Sequence, residues 1–397
     1  MEADAASRRP VPWWPPLALY GAVGTVLWAV SWAVARHVTR NALSLSPVGP
    51  APGEWLWGGW LRYDGNWYVG IAGAGYSYVP GRQSAVAFFP GYPLAVRAVG
   101  RLVDNLALGG ILVSLASGAV AMVLFWRWSA ARLDRRAAVC ALLALGLYPY
   151  AWYLYGAVYG DALFLVGALA AFTLFERDRL LLAGLAGAAA TATRLVGLAV
   201  VVGLVVGVLE RRGALEGRWR WEIPRRVRLS RARPADAVVL VSLGGLLAWC
   251  GWLWARFDDP LLFAEVQEAW GQSSGPRTWF KVDLAASLVN GSDRIYAYGL
   301  VVQAVIALGV LALSPAVARR FGLRYGAYTA VIVLLPGIGS QDGQGLGRYA
   351  LGAFPTFALV GRWAAGRAAS TRLLLAGGSG ALLVLGTAWF AHGLYLS

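Results

Sequence analysis

In the stretch "LRYDGNWYVGIAGAGYSY", residues 61 to 78, Asp64 is a lone carboxylate among aromatics and glycines. Other isolated polar groups have the same character: Asp161 in "YLYGAVYGDALF", Arg194 in "TATRLVG", and the pair Arg348 and Tyr349 in "GSQDGQGLGRYALGAFP". A carboxylate can take a proton from a hydroxyl, an arginine can neutralise a phosphate leaving group, and aromatics can stack on a sugar or an isoprenoid. Together these suffice for glycosyl transfer from a lipid phosphate. Few other tools are present. There are two histidines, His37 and His392, and two cysteines, Cys140 and Cys250, both inside apolar runs, so histidine chemistry, a disulfide framework and a metal cluster find little support. No Walker loop occurs, and no D-x-D pattern stands on the arginine-rich side to hold a metal with a nucleotide diphosphate. Two acids facing one pocket could hold a divalent ion, and that alternative stays open.

The elements that must position these groups are membrane helices. The chain has 397 residues, 58% hydrophobic and 14% charged, far more apolar surface than a soluble core needs. Spans are expected near 16–37, 106–126, 137–155, 159–175, 180–193, 196–209, 236–256, 296–314, 325–338, 347–365 and 373–392, about eleven in all. The net charge of +15 resides in arginines between these runs, which points to topology rather than to nucleic acid. The clusters Arg8/Arg9, Arg127 to Arg136, Arg177/Arg179, Arg211 to Arg233, Arg319 to Arg324 and Arg362 to Arg372 are all cytoplasmic under two conditions. Residues 85–103, with prolines and Arg97 and Arg101 on one face, must lie along the surface without crossing. Residues 180–210 must cross twice as two short helices meeting near Arg194. The result is a single integral membrane domain over 1–397, N-terminus cytoplasmic. It has a first extracytoplasmic loop at 39–105 carrying in-plane helices, a basic cytoplasmic loop at 211–235 and a second large extracytoplasmic loop at 257–294.

That topology gathers Asp64, Asp161, Asp258, Asp259, Glu265, Glu268, Asp342 and Arg348 toward the outer face. Each has a blander reading. Asp64 could cap a helix beginning at Asn66, and Asp161 its own helix. Arg194 could snorkel to headgroups, Arg348 could anchor a helix end, and Tyr148, Tyr150, Trp152, Tyr153, Tyr155 and Tyr159 could form an interfacial belt. The acidic loop could be a solvated lid.

Five segments in order, "RYDGNWYVGIAGAGY", "FFPGYPLAVRAVG", "YPYAWYLYGAVYGDALF" followed by "GLAGAAATATRLVGL", "DDPLLFAEVQEAWG" and "GRYALGAFP", resemble the GPI mannosyltransferase II (PIG-V-like) family, including its bacterial members, over roughly residues 55 to 365. The resemblance implies an all-α polytopic fold of the GT-C glycosyltransferase superfamily, with an active site on the extracytoplasmic face of a bacterial plasma membrane. It also implies a polyprenyl-phosphate-linked donor, mannose above other sugars, and a lipid or glycan acceptor. The family's first-loop acid matches Asp64, with Tyr63 where tryptophan is commoner; its later acid, arginine and "RY" pair match Asp161, Arg194, Arg348 and Tyr349. Asp64 is thus expected to be catalytic, with Asp161, Arg194, Arg348, Tyr349, Tyr63 and Trp67 binding substrate. The rival from another class is a lipid or glycolipid transporter or flippase, which would show an internal repeat that this sequence lacks.

Overall fold

A computed structural model describes residues 12–37, 54–218, 224–270, 272, 275–290 and 294–394. Arg8/Arg9 and parts of the three loops lie outside the described residues. Apolar helices occupy all eleven expected ranges: α1 (Trp14–His37), α4 (Leu106–Ala130), α5 (Arg135–Gly146), α6 (Asp161–Glu176), α7 (Leu180–Thr193), α8 (Leu198–Arg211), α9 (Pro234–Phe257, opening as a 3₁₀ helix), α10 (Arg294–Phe321), α11 (Leu323–Gly339), α13 (Phe354–Ala365) and α14 (Ala369–His392). Among the described residues, α1, α4, α9, α10 and α14 are long and apolar enough to cross a bilayer individually. The six shorter ones have only 12 to 17 residues. They pack against one another, α5 on α13, α6 on α7 and α8 on α11. Small residues allow this: a Cβ on Gly361 of α13 would stand 2.3 Å from the Ala141 backbone nitrogen of α5.

Seven further α-helices among the described residues have 4 to 12 residues, too few to cross a bilayer, and three of them frame the site. α2 (Asp64–Ala74) and α3 (Gly91–Leu102) lie in the first loop, and α12 (Leu346–Leu351) precedes α13. At 12 residues α3 reaches only about 18 Å, well short of the hydrocarbon core. Arg97 does not face headgroups: it donates to the carbonyls of Ala72 and Ile71, at 2.6 and 3.1 Å, and so closes the C-terminal turn of α2.

Two segments depart from the expected spans. The helix expected to run to 155 stops at Gly146, because Pro149 disfavours helical geometry in the residue before it. The aromatic stretch that follows is not an interfacial belt. Trp152, Tyr153, Tyr155 and Tyr159 are at most 1% exposed, folded between helices, and carbonyls accept from two hydroxyls of the stretch: Tyr155 donates to Gly146 at 2.9 Å and Tyr148 to Gly347 at 2.8 Å. Residues 347–365 likewise form two pieces, α12 and α13, with Pro355 in the first turn of the second.

Gly118 of α4 makes the inward fold of the aromatic stretch possible. A Cβ there would lie 1.9 Å from the Leu154 carbonyl, to which the Tyr20 hydroxyl donates at 2.6 Å. Gly118→Ala should cost about 1–3 kcal/mol through overpacking, read as a lower unfolding temperature in detergent; an unchanged midpoint would mean that the loop yields without cost.

The arginine clusters meet at one end of the bundle. Glu176 accepts from Arg132, from Arg324 at 3.1 Å and from the Tyr325 hydroxyl at 2.8 Å, while Glu210 accepts from Arg324 at 3.0 Å. In the basic loop, an antiparallel pair of strands, β1 (Leu215–Arg218) and β2 (Pro224–Val227), lies between Arg212 and Asp236, which form a bidentate ion pair. α6 runs from Asp161 to Glu176, so the arginine-rich end and the Asp161 end are about 24 Å apart.

Candidate active site

Asp64 and Asp161 each open a helix, where the positive end of the backbone dipole favours a carboxylate. Neither caps its helix: no side-chain cap bond exists at either start, and both carboxylates turn to arginines instead. Asp64 Oδ2 accepts from Arg348 Nη1 at 3.0 Å. Asp161 Oδ1 accepts from Arg194 Nη1 and lies 4.0 Å from Arg348 Nε. The four residues therefore form a chain of alternating charge, Asp64, Arg348, Asp161, Arg194, contributed by α2, α12, α6 and the break between α7 and α8. Asp161 is 6% exposed and both arginines 9%.

The break that carries Arg194 follows from helix length. α7 has 14 residues and rises only about 21 Å, so it ends below the far boundary of a core about 30 Å thick. Arg194 itself is extended, at φ −160° and ψ 149°. A guanidinium at that depth requires a counter-charge, and Asp161 supplies it. Its other face lies over the Tyr349 ring, 4.6 Å from the centroid.

The buried aromatic stretch holds the remaining parts in register. The Asp64 backbone N–H donates to the Tyr159 hydroxyl at 3.2 Å, and the Arg348 guanidinium lies over the rings of Tyr159 and Tyr153 at 5.1 and 5.6 Å. Gly347 is obligatory for this docking, since a Cβ there would stand 2.5 Å from the Tyr150 ring. Arg62, 2% exposed, donates twice to the Ala391 carbonyl, at 3.0 and 2.8 Å, and ties the start of α2 to the end of α14.

Asp64, Arg194, Arg348 and Tyr349 line one cavity of about 600 Å³. Asp161 does not line it; it stands behind the arginines. Tyr63 and Trp67 are also outside the lining. Tyr63 packs toward Phe390, with ring centroids 6.2 Å apart, and Trp67 stacks on Phe88 and meets Trp270 edge-on. The cavity has three surfaces. Its floor is formed by Asp64, Arg348 and Arg194. One flank is apolar, from Leu195 and Val196 at the α7–α8 break and Leu335 and Pro336 of α11. Its roof is the segment after α9, with Phe263, Glu265, Gln267, Glu268, Trp270 and Gln272. Among the described residues no group of three or more His, Cys, Asp or Glu is placed to hold a metal ion.

Reasoning from sequence missed Tyr68, Thr193 and Gln344, which also line the cavity. Tyr68 is four residues from Asp64 on α2, a spacing that puts both on one face. For Thr193 and Gln344 the chain offers no comparable signal.

The helix order and the five helices long and apolar enough to cross a bilayer define a polytopic, mostly α-helical membrane fold. The chain is similar in structure to ArnT from Cupriavidus metallidurans, solved bound to undecaprenyl phosphate and also in the apo state; each shows a TM-score of 0.51 and 16% identity over 96% of this chain and 76% of that one. A weaker likeness, TM-score 0.48 and 10% identity over 96% of this chain and 56% of the other, links it to the oligosaccharyltransferase of Archaeoglobus fulgidus. No family model matches the sequence, and no curated protein does.

Proposed function

We propose that this protein is a membrane glycosyltransferase that moves a sugar from a polyprenyl-phosphate donor to a hydroxyl of a lipid or glycan acceptor on the extracytoplasmic face, with inversion. Mannose is the sugar favoured by the sequence resemblance. The observation that carries the reading is the 3.0 Å contact of Asp64 with Arg348 on the floor of a cavity with an apolar flank and a polar roof. ArnT, whose fold the chain shares, was solved with a polyprenyl phosphate bound, which supports the donor class.

In this mechanism the donor enters along the apolar flank, with its phosphate meeting Arg348 and Arg194. The phosphate takes over the Arg348 guanidinium and releases Asp64 from it. Asp64 then orients the acceptor hydroxyl and takes its proton as the new glycosidic bond forms at the anomeric carbon. The bond to the phosphate oxygen breaks on the opposite side, and the arginines hold the departing anion. Because that leaving group is neutralised by two guanidinium groups, no separate general acid is required. Asp161 keeps both arginines in place.

The test is transfer of radiolabelled mannose from polyprenyl-phosphate mannose into glycolipid or glycan by the purified, reconstituted protein. Incorporation is expected. Absence of label from this donor, with label from another polyprenyl-phosphate sugar, would change the sugar and keep the reaction; absence from all of them would overturn the reading. Within the same assay, Arg348→Ala should lower kcat/KM for the donor about 100-fold, with Arg348→Lys recovering part of it, since lysine restores charge without the planar fork. Unaltered donor dependence in Arg348→Ala would remove this residue from the phosphate site.

A further inference from the structure

The cavity's charges are unevenly placed. On the floor, two arginines are matched by Asp64 and by Asp161 behind them. The roof adds two more carboxylates, Glu265 and Glu268, both exposed and both lining the cavity. Among its described lining residues, Arg194 and Arg348 are the only cations. Glu265 accepts from the Tyr78 hydroxyl at 3.4 Å, and no ion pair of either glutamate occurs among the described residues. The roof follows α9, so it stands at the end of the bundle away from the arginine clusters.

Two residues that line this space also carry a buried polar atom with no hydrogen-bond partner among the described residues. Arg348, nine-tenths buried, leaves its Nε without a hydrogen-bond partner among the described residues. The Trp270 indole N–H, on the roof itself, is also buried and without one. A net negative mouth over a phosphate-binding floor has a definite consequence. Anions arriving from water are repelled, whereas a lipid-borne phosphate entering along the apolar flank does not pass the roof.

We propose that Glu265 and Glu268 select the acceptor: they admit an uncharged, hydroxyl-rich glycan head and reject one carrying phosphate or carboxylate. The carboxylates and the roof amides Gln267 and Gln272 accept and donate hydrogen bonds to sugar hydroxyls, and the Trp270 N–H supplies one more donor. This assignment deepens the glycosyltransferase reading and rests on it for the word acceptor, but the selection itself is measurable without turnover.

The experiment compares octyl α-mannoside with its 6-phosphate derivative on the full-length protein in detergent. Binding is followed by tryptophan fluorescence and transfer by radiolabel. Each carboxylate close to a ligand charge near water should be worth about 3-fold, so the wild type should bind the neutral glycoside roughly 10-fold more tightly. Glu265→Gln with Glu268→Gln should bring the two ligands to within about 2-fold, with the donor KM unchanged. High salt should narrow the wild-type difference in the same direction. Equal binding of the two ligands by the wild type, no binding of the neutral one, or an unchanged ratio in the double variant would overturn the proposal. Discrimination in binding without transfer from any polyprenyl-phosphate sugar would instead leave the selective roof standing and remove the glycosyltransferase reading.

Discussion

Asp64→Asn slows sugar transfer by about 100- to 10,000-fold, the range for loss of a general base, and leaves the protein folded and inserted. The expectation of intact folding follows from position. Asp64 lies at the cavity surface with its side chain 19% exposed, so its loss opens no void. The asparagine carbonyl can still accept from Arg348, and the backbone bond from residue 64 to the Tyr159 hydroxyl does not involve the side chain. Arg348 also keeps Asp161 at 4.0 Å. What asparagine cannot do is take a proton from the acceptor hydroxyl. Donor binding is therefore expected to hold while kcat falls, measured as radiolabel transfer at equal expression alongside the unfolding midpoint. Near wild-type transfer by purified Asp64→Asn would remove the base assignment; a collapse of the midpoint would make Asp64 a structural residue instead.

Much of this site was legible because the bilayer makes isolated charge conspicuous. Asp64, Arg194 and Arg348 stand out in apolar surroundings, where an ionisable group needs a partner, and all three line the cavity. Their pairing was not legible: Asp161 and Arg194 are 33 residues apart, Asp64 and Arg348 284, and no local pattern encodes such contacts. The aromatic stretch after Gly146 misled for a physical reason. Tyrosine and tryptophan suit the membrane interface and also a buried loop whose hydroxyls can reach carbonyls, and composition does not separate the two. Arg97 is a comparable case. It reads as a surface cation yet closes a helix end, because which carbonyls it reaches depends on packing across the fold. The helix break within 180–210 was legible from arithmetic, since about 31 residues are too few for two full spans, and the structure places two helices of 14 residues on either side of Arg194.

The second large effect is on stability. Asp161→Asn is expected to destabilise the protein by about 3–5 kcal/mol, the cost of leaving buried charge uncompensated. Asp161 is the carboxylate between two guanidinium groups, both 9% exposed, and without it Arg194 and Arg348 face one another as like charges. Asp64 offsets only the Arg348 side. The double variant Asp161→Asn with Arg194→Gln removes one of the stranded cations and should recover a large part of the loss. Transfer should stay low in both, because the phosphate site has lost its alignment or one of its arms. Unfolding in detergent for the two single variants and the double closes the cycle, and a coupling of about 1–3 kcal/mol is expected for groups in direct contact. Additive effects would mean that Arg194 draws its compensation elsewhere, and an Asp161→Asn midpoint equal to wild type would remove Asp161 as the counter-ion. The contrast between the acids is the sharper outcome. The one at the cavity surface should govern rate without stability, and the one behind the arginines should govern stability first and rate only through the arginines it holds.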